Sequence, residues 1–117
     1  PGVNYMGFPV KVEVWLVNTS GATGHEQKGI RPAAIWKDLD HVKMAIGIPF
    51  TTSLFAENLP YTIRILPTIK NGLTEDSTLL IHQIRSFDKF RLIKKLGELE
   101  ERDISDVAIA LKEMLKL

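Results

Sequence analysis

The chain has 117 residues, of which 44% are hydrophobic and 25% are charged, and its formal net charge is +1. These values indicate one folded domain with a single core, and the charge alone is too small to indicate a nucleic-acid binder. Because the chain has no cysteine, it has no disulfide, thiolate zinc site or cysteine nucleophile, which fits a cytoplasmic home. No apolar run approaches the roughly 20 residues that cross a bilayer, so we expect no membrane association.

Residues 1–5 precede an internal methionine, Met6. We expect these five residues to be a remnant of expression, with the natural start at Met6. The single domain is therefore expected to span residues 6–117.

Alternating apolar residues predict the first strand, which residues 18–24 then interrupt. Trp15 lies on the opposite face from Val12 and Val14, either as a packing residue of a second layer or as an exposed aromatic. Further strands are predicted at residues 32–37, 42–50, 61–66 and 78–84, and the ambiguous stretch 93–99 is a further candidate. The nearly all-apolar run 42–50 predicts a central strand that is covered on both faces.

The connections carry their own signals. Residues 37–41 predict a turn, Asn71-Gly72 is typical of a hairpin turn, and Asp88 is expected to cap a short helical turn through Leu92. Apolar residues at helical spacing predict a C-terminal helix packed on the core or on another subunit, and they are Ile104, Val107, Ala108, Leu111, Met114 and Leu115. The predicted fold is mainly β (α+β), a small barrel of five to six strands whose open end the helix can plug.

Polar side chains gather at the predicted strand ends. The loop at residues 24–32, GHEQKGIRP, ends on a proline and contains Arg31, whose planar charged fork suits a phosphate. A small barrel would bring it near Glu26, Thr51, Thr52 and Gln83, a set suited to phosphoryl transfer without a metal. The alternative is an ordinary surface loop with a structural arginine, two threonines that end a strand, and a glutamine that satisfies a buried backbone group.

Other site types find little support in the sequence. It has no phosphate-binding glycine loop and no nucleophile elbow. The three histidines are scattered, so we expect neither a metal site nor a cofactor. Residues 84–95 carry five basic side chains and one acidic one, whereas residues 96–106 carry one basic and five acidic. The basic stretch could face phosphates, or the two stretches could simply pair with each other at the surface.

Three motifs in order resemble the MazF/PemK family of toxin endoribonucleases across nearly the whole chain. They are GHEQKGIRPAAI at residues 24–35, IPFTTS at 48–53 and EDSTLLIHQIRSFDKFRL at 75–92. The resemblance implies an SH3-like barrel that forms a homodimer, with single-stranded RNA in a groove shared by the subunits. It also implies cleavage without a metal, in which the ribose 2′-hydroxyl attacks and leaves a 2′,3′-cyclic phosphate.

The same resemblance implies roles for individual residues. Arg31 takes the position of the catalytic arginine, and Thr51 takes that of the catalytic threonine. The residues implied to bind RNA are Glu26, Gln27, Lys28, Thr52, Ser53 and Gln83. A cognate antitoxin protein is expected to occupy the same groove.

The chain departs from the family at its first strand, where Lys11, Val12 and Glu13 replace the usual Arg-Gly-Asp. His25 replaces a small residue, either as a reader of sequence, an extra proton carrier or an exposed loop side chain. Two further functions therefore stay open: a non-catalytic toxin of the same fold that binds a protein such as gyrase, and a degenerate member that binds RNA or antitoxin without cutting.

Overall fold

The computed structural model describes residues 2–19 and 29–117. Within them the chain forms seven strands and one α-helix. The strands are β1 (Glu13–Asn18), β2 (Ile30–Leu39), β3 (Met44–Thr51), β4 (Thr62–Ile65), β5 (Ser77–Leu80), β6 (Arg85–Asp88) and β7 (Leu92–Glu98), and the helix α1 is Glu101–Leu115. The mainly β class with a C-terminal helix is confirmed, with more strands than the expected five or six.

Strand β3 is the centre of the sheet. It pairs antiparallel with β2 along one edge, and with β6 and then β5 along the other. The predicted central position is confirmed, and it explains the composition of the strand, since its last five residues are all buried.

The strand order is β4-β5-β3-β2-β1-β7, with β6 beside β3. At the β7 end of this order, the Glu98 backbone N–H donates at 2.8 Å to the carbonyl oxygen of Lys70, which lies in the connection from β4 to β5. Glycine is required at this approach, because a Cβ at Gly97 would collide with the Lys70 carbonyl and one at Gly72 with that of Leu96. Full closure of a barrel remains a prediction.

Two apolar clusters lie against this sheet. The larger one joins Val12, just before β1, and Val14 of β1 to Ile104, Val107 and Leu111 of α1. The predicted helix face is therefore confirmed as core packing, except for Leu115, which is exposed because α1 ends there.

The second cluster contains no residue of α1. Val17, Ala33, Ala45 and Phe87 are its buried members. Trp15, Ile35 and Leu92 are partly buried against it, so Trp15 is a packing residue of a second layer.

The predicted strand at residues 78–84 is wrong in its second half. β5 ends at Leu80, and Ile81–Gln83 forms a 3₁₀ turn before β6 begins. The chain turns here because β5 pairs with the last two residues of β3, whereas β6 pairs with its first four. Hydrophobic periodicity carries no signal for such a change of partner.

Two predicted turns are displaced. β2 continues through Leu39, and the following 3₁₀ turn is Asp40–Val42, so the turn expected at residues 37–41 starts later. The helical turn expected after Asp88 is the 3₁₀ turn Lys89–Arg91, but the Asp88 side chain makes no capping hydrogen bond. The expected capping role of Asp88 is therefore wrong.

Asn71 organises the connection from β4 to β5, which is longer than a hairpin turn. Its side chain is fully buried, and Oδ1 accepts hydrogen bonds from the Thr68 and Leu73 N–H groups at 2.9 and 3.0 Å. Nδ2 donates to the Leu66 carbonyl oxygen at 2.9 Å. One buried amide thus satisfies three backbone groups of a loop that has few of its own.

We expect Asn71→Ala to lower the free energy of unfolding by about 2–3 kcal/mol, because it leaves buried backbone groups without partners. Urea denaturation followed by circular dichroism measures this change. Asn58→Ala is the control, since Asn58 is exposed. Equal stability of the two variants would contradict this role of Asn71.

The unusual start of β1 forms an ion cluster. Lys95 Nζ lies 3.3 Å from Glu13 Oε2 and 3.4 Å from Glu98 Oε2, and Lys11 Nζ lies 3.5 Å from Glu13 Oε2. The Trp15 indole N–H donates to Glu13 Oε1 at 2.8 Å. That hydrogen bond, with help from Lys95, holds the pKa of the Glu13 carboxyl below its usual value.

The lowered pKa predicts an acid-sensitive contribution to stability. A carboxyl whose pKa is lower when folded stabilises above its unfolded pKa, and this stabilisation is lost as the pH falls through the folded pKa. We therefore expect the cost of Trp15→Phe to be largest at pH 7 and to shrink below about pH 4. Thermal melts across this range test it.

Trp36→Phe is the matched control for Trp15→Phe. Trp36 packs against the main core, so its substitution should cost the same at each pH. A cost of Trp15→Phe that does not change with pH would contradict the link to Glu13.

Candidate active site

The strand register brings Arg31 and Thr51 to one end of the sheet. The last paired residues of β2 and β3 at this end are Ala33 and Pro49. Continuing that register by two residues puts Arg31 opposite Thr51. Directly opposed residues share a face of the sheet, and neighbouring strands lie about 5 Å apart. The side chains of Arg31 and Thr51 therefore lie on the same face.

Thr51 is nearly buried, with 8% of its surface exposed. It pairs with Thr78 of β5, and its Oγ1 accepts a hydrogen bond from the Ser53 backbone N–H at 3.2 Å. The hydroxyl therefore has a fixed position, and its own proton can be donated to a ligand.

The 3₁₀ turn Ile81–Gln83 places Gln83 at the same end. The Ile81 N–H donates to the Tyr61 carbonyl oxygen at 3.0 Å, and the Ile84 N–H donates to the Ile81 carbonyl oxygen at 3.1 Å. The Ile81 side chain is fully buried, which anchors the turn. The His82 side chain is exposed and that of Gln83 is half-buried.

Three openings adjoin one another around these residues. The first, the Arg31 crevice, has a volume of about 10 Å³, room for a single water, and is lined by Arg31, Gln83 and Arg85 above Ala33 and Pro49. The second, the Phe55 cavity, measures about 420 Å³ and is lined by residues that include Thr51, Ser53, Phe55, His82 and Gln83. The third, the Ile30 groove, measures about 330 Å³ and includes Ile30, Arg31 and Thr52.

The structure thus brings together the predicted site residues that it describes. Gln83 lines both the crevice and the Phe55 cavity, while Arg31 lines both the crevice and the Ile30 groove. The predicted residues Glu26, Gln27 and Lys28 lie outside the described residues, as does His25. The altered residues Lys11, Val12 and Glu13 line none of the three openings, although Leu16 of β1 lines the Ile30 groove.

Sequence reasoning did not assign Arg85, Phe55 or His82 to the site, although all three line these openings. Arg85 follows Gln83 by two residues and stands opposite Gly47 of β3. Phe55 is an apolar side chain in a polar loop, and His82 precedes Gln83. The sequence signals were the two-residue spacing from Gln83 to Arg85 and the aromatic Phe55 in a polar loop. Neither signal reveals which residues line a cavity.

Much of the basic stretch at residues 84–95 is paired. Lys89 Nζ lies 2.9 Å from Asp38 Oδ1 and 2.6 Å from Asp40 Oδ1. The hydrogen bond from Lys89 lowers the pKa of Asp40, and the Asp40 and Asp38 carboxylates raise the pKa of Lys89. Lys95 contacts Glu13 and Glu98. Of these contacts, the one between Lys95 and Glu98 joins the basic stretch to the acidic stretch, whereas Asp38, Asp40 and Glu13 lie outside residues 96–106. Arg85 lines the Arg31 crevice.

Two further observations concern metals and membranes. Across residues 2–19 and 29–117, no three His, Asp or Glu side chains are grouped so that they could hold a metal ion. In the same part of the chain, no helix has the length and apolar character needed to span a bilayer.

The arrangement suits an anionic ligand with flat, unstacked groups. Arginine side chains bind phosphate oxygens through paired N–H donors, and Thr51 adds a nearly buried hydroxyl. The adjoining cavity offers an aromatic ring, an imidazole and an amide. Charged and stacking groups side by side are typical of proteins that bind single-stranded nucleic acid.

Comparison with known proteins assigns this domain to a family. Residues 11–115 match the family described as the PemK-like, MazF-like toxin of type II toxin–antitoxin systems. The chain is 32% identical over 108 residues to the endoribonuclease EndoA of Bacillus subtilis, covering 90% of this chain and 92% of that protein. It is also 32% identical over 108 residues to the endoribonuclease MazF of Staphylococcus saprophyticus, covering 90% and 89%.

Solved structures share this fold. The fold matches crystalline MazF from Deinococcus radiodurans with a TM-score of 0.72 and 25% identity, covering 91% of this chain and 94% of that one. It also matches, at a TM-score of 0.68 and 20% identity, a mycobacterial endoribonuclease solved with its cognate antitoxin, covering 93% and 96%. The chain therefore belongs to the family of PemK-like, MazF-like toxins of type II toxin–antitoxin systems.

Proposed function

We propose that this chain is an endoribonuclease toxin that cuts single-stranded RNA at a short sequence without a metal ion. The observation that carries the proposal is the position of Arg31, Thr51 and Gln83 around adjoining openings in a MazF-like domain. The relatives named above are endoribonucleases, which favours this activity over a non-catalytic toxin that binds gyrase.

In the proposed reaction the RNA supplies its own nucleophile. The ribose 2′-oxygen forms a bond to the adjacent phosphorus and loses its proton, while the bond from phosphorus to the 5′-oxygen breaks and that oxygen gains a proton. The products are a 2′,3′-cyclic phosphate and a 5′-hydroxyl. This route needs neither a nucleophilic side chain nor a metal-bound water.

The protein's task is then to stabilise charge. The Arg31 guanidinium donates to the phosphorane oxygens and stabilises the leaving oxygen, because its charge persists at any physiological pH. The Thr51 hydroxyl donates to a phosphate oxygen from a position that its bond with Ser53 holds fixed. Preorganised donors of this kind need no reorientation as charge develops.

The remaining predicted residues are proposed to hold the RNA. Thr52, Ser53 and Gln83 contact the strand around the scissile phosphate. Glu26, Gln27 and Lys28 precede β2 in the sequence, and we propose that they cover the bound RNA. A cognate antitoxin would inhibit the toxin by occupying the same surface.

We also propose that the active form is a homodimer in the cytoplasm, where RNA is available. The second apolar cluster supports this assembly. Trp15, Ile35 and Leu92 remain partly exposed on it, and covering apolar surface drives association. The altered first strand gives no reason to favour a degenerate member, since Lys11 and Glu13 are engaged in an ion cluster.

We expect Arg31→Ala to reduce kcat by at least about 100-fold, the usual cost of removing a donor to a developing oxyanion. Thr51→Ala should have a smaller effect of the same kind. The assay incubates protein with a long single-stranded RNA in the presence of EDTA and maps the fragment ends. Wild-type protein should cut at one recurring short motif and leave cyclic phosphate ends.

Arg102→Ala is the matched control for Arg31→Ala, since Arg102 is an exposed arginine on α1. Unchanged cleavage by both Arg31→Ala and Thr51→Ala would refute the site assignment. A wild-type protein that stays folded but leaves every RNA intact would refute the activity.

We expect Ile35→Asp to convert the dimer into a folded monomer, because it puts a carboxylate in the second apolar cluster. Sedimentation measures the mass, and circular dichroism verifies the fold. Ile109→Asp is the control, since Ile109 is an exposed apolar residue on α1 and its change should leave the dimer intact. A wild-type monomer at micromolar concentration would contradict the assembly.

A further inference from the structure

The Phe55 cavity is lined by apolar and aromatic side chains, which a site for phosphate alone does not require. Its volume is about 420 Å³, and its lining includes Phe55, Leu59, His82 and Gln83. Pockets of this size hold flat organic groups, and a few polar side chains among apolar ones usually determine which group enters. Thr51, the proposed phosphate-binding hydroxyl, stands at its edge.

Phe55 itself is unusually accessible, with 72% of its surface exposed. Its neighbour Ala56 is buried and anchors the 3₁₀ segment Leu54–Asn58. The Ala56 N–H donates to the Ser53 carbonyl oxygen at 3.2 Å, and the Leu59 N–H donates to the Ala56 carbonyl oxygen at 3.0 Å. The aromatic ring is therefore presented by a fixed backbone although it contributes little to the core.

The segment that carries the polar side chains of the cavity is also well fixed. His82 and Gln83 belong to the 3₁₀ turn that is anchored by buried Ile81 and by its hydrogen bond to Tyr61. An imidazole and a carboxamide can both donate and accept hydrogen bonds. They therefore match the edge of a nucleobase, which presents donors and acceptors in one plane.

We propose that the Phe55 cavity holds one unstacked nucleobase of the RNA, adjacent to the phosphate at Thr51. Phe55 is the stacking platform, and His82 with Gln83 determines which base is accepted. This inference rests on the proposed function and deepens it, because it assigns one position of the cleavage motif to specific side chains. Docking the base also fixes the ribose and phosphate that follow it, so the cavity positions the scissile bond.

The test combines protein variants with abasic RNA. Each position of the mapped motif is replaced in turn by an abasic ribose, which keeps the 2′-hydroxyl and the phosphate. Loss of a stacked base should reduce kcat/KM for the wild type by about 10- to 100-fold at one position beside the cleavage site. Phe55→Ala should lose a similar factor on intact RNA and be insensitive to abasic substitution at that position only.

Rescue and control variants separate a contact from a structural effect. Phe55→Trp should restore both cleavage and sensitivity to the abasic position, since any large ring can stack. Phe90→Ala should behave as the wild type, because Phe90 is an exposed phenylalanine outside the cavity. His82→Ala should reduce discrimination among the four bases at that position and leave cleavage of the abasic substrate unchanged.

The proposal would be overturned if the loss of kcat/KM for Phe55→Ala on abasic RNA equalled the product of the two separate losses. Such independence would mean that the ring does not contact the base. Full cleavage by Phe55→Ala, with weaker binding only of the antitoxin, would overturn it too and assign the cavity to a protein side chain. The same coupling can be measured by fluorescence anisotropy with 2′-fluoro RNA, which 2′-hydroxyl attack cannot cut. If Phe55→Ala and the abasic position are coupled in binding affinity but no RNA is cut, the cavity assignment is supported and the proposed activity is refuted.

Discussion

The structure depends on the partners of a single strand, β3. Its first four residues pair with β6, its last two with β5, and its other edge with β2. A strand with neighbours on both edges and cover on both faces has to be almost wholly apolar, as MAIGIPFT is. Thr51, the last residue of β3, carries the one polar side chain of the strand.

The change of partner on β3 also explains why other functional groups gather there. The chain needs a short turn to pass from β5 to β6, and that turn carries His82 and Gln83. On the opposite edge, β2 begins just beyond its pairing with Pro49 and so carries Arg31. The candidate site is thus a consequence of strand pairing at one end of the sheet rather than of a separate catalytic loop.

The two apolar clusters differ in whether α1 covers them. The main cluster joins the sheet to α1 and supplies the stability of the monomer. The second cluster lies under Trp15, Ile35 and Leu92 without cover from α1.

The charged pairs of Lys89 and Lys95 lie away from the openings of the site. Arg31 and Arg85, by contrast, line the Arg31 crevice.

Local patterns in the sequence determined much of this molecule. Alternation located the strands, helical spacing located α1, and the motifs around Arg31, Thr51 and Gln83 indicated both the family and the chemistry. Such signals are local, because periodicity and residue type act within a few positions of the chain. Each of these three residues could therefore be named before its neighbours were known.

Only the tertiary structure decided which residues share a cavity. The strand breaks after Leu80, Arg85 lines the same crevice as Arg31, and Phe55 lines the same cavity as His82. All three features arise between segments distant in sequence. Strand register and change of partner are set by the summed packing of the whole sheet, and no local pattern encodes that sum.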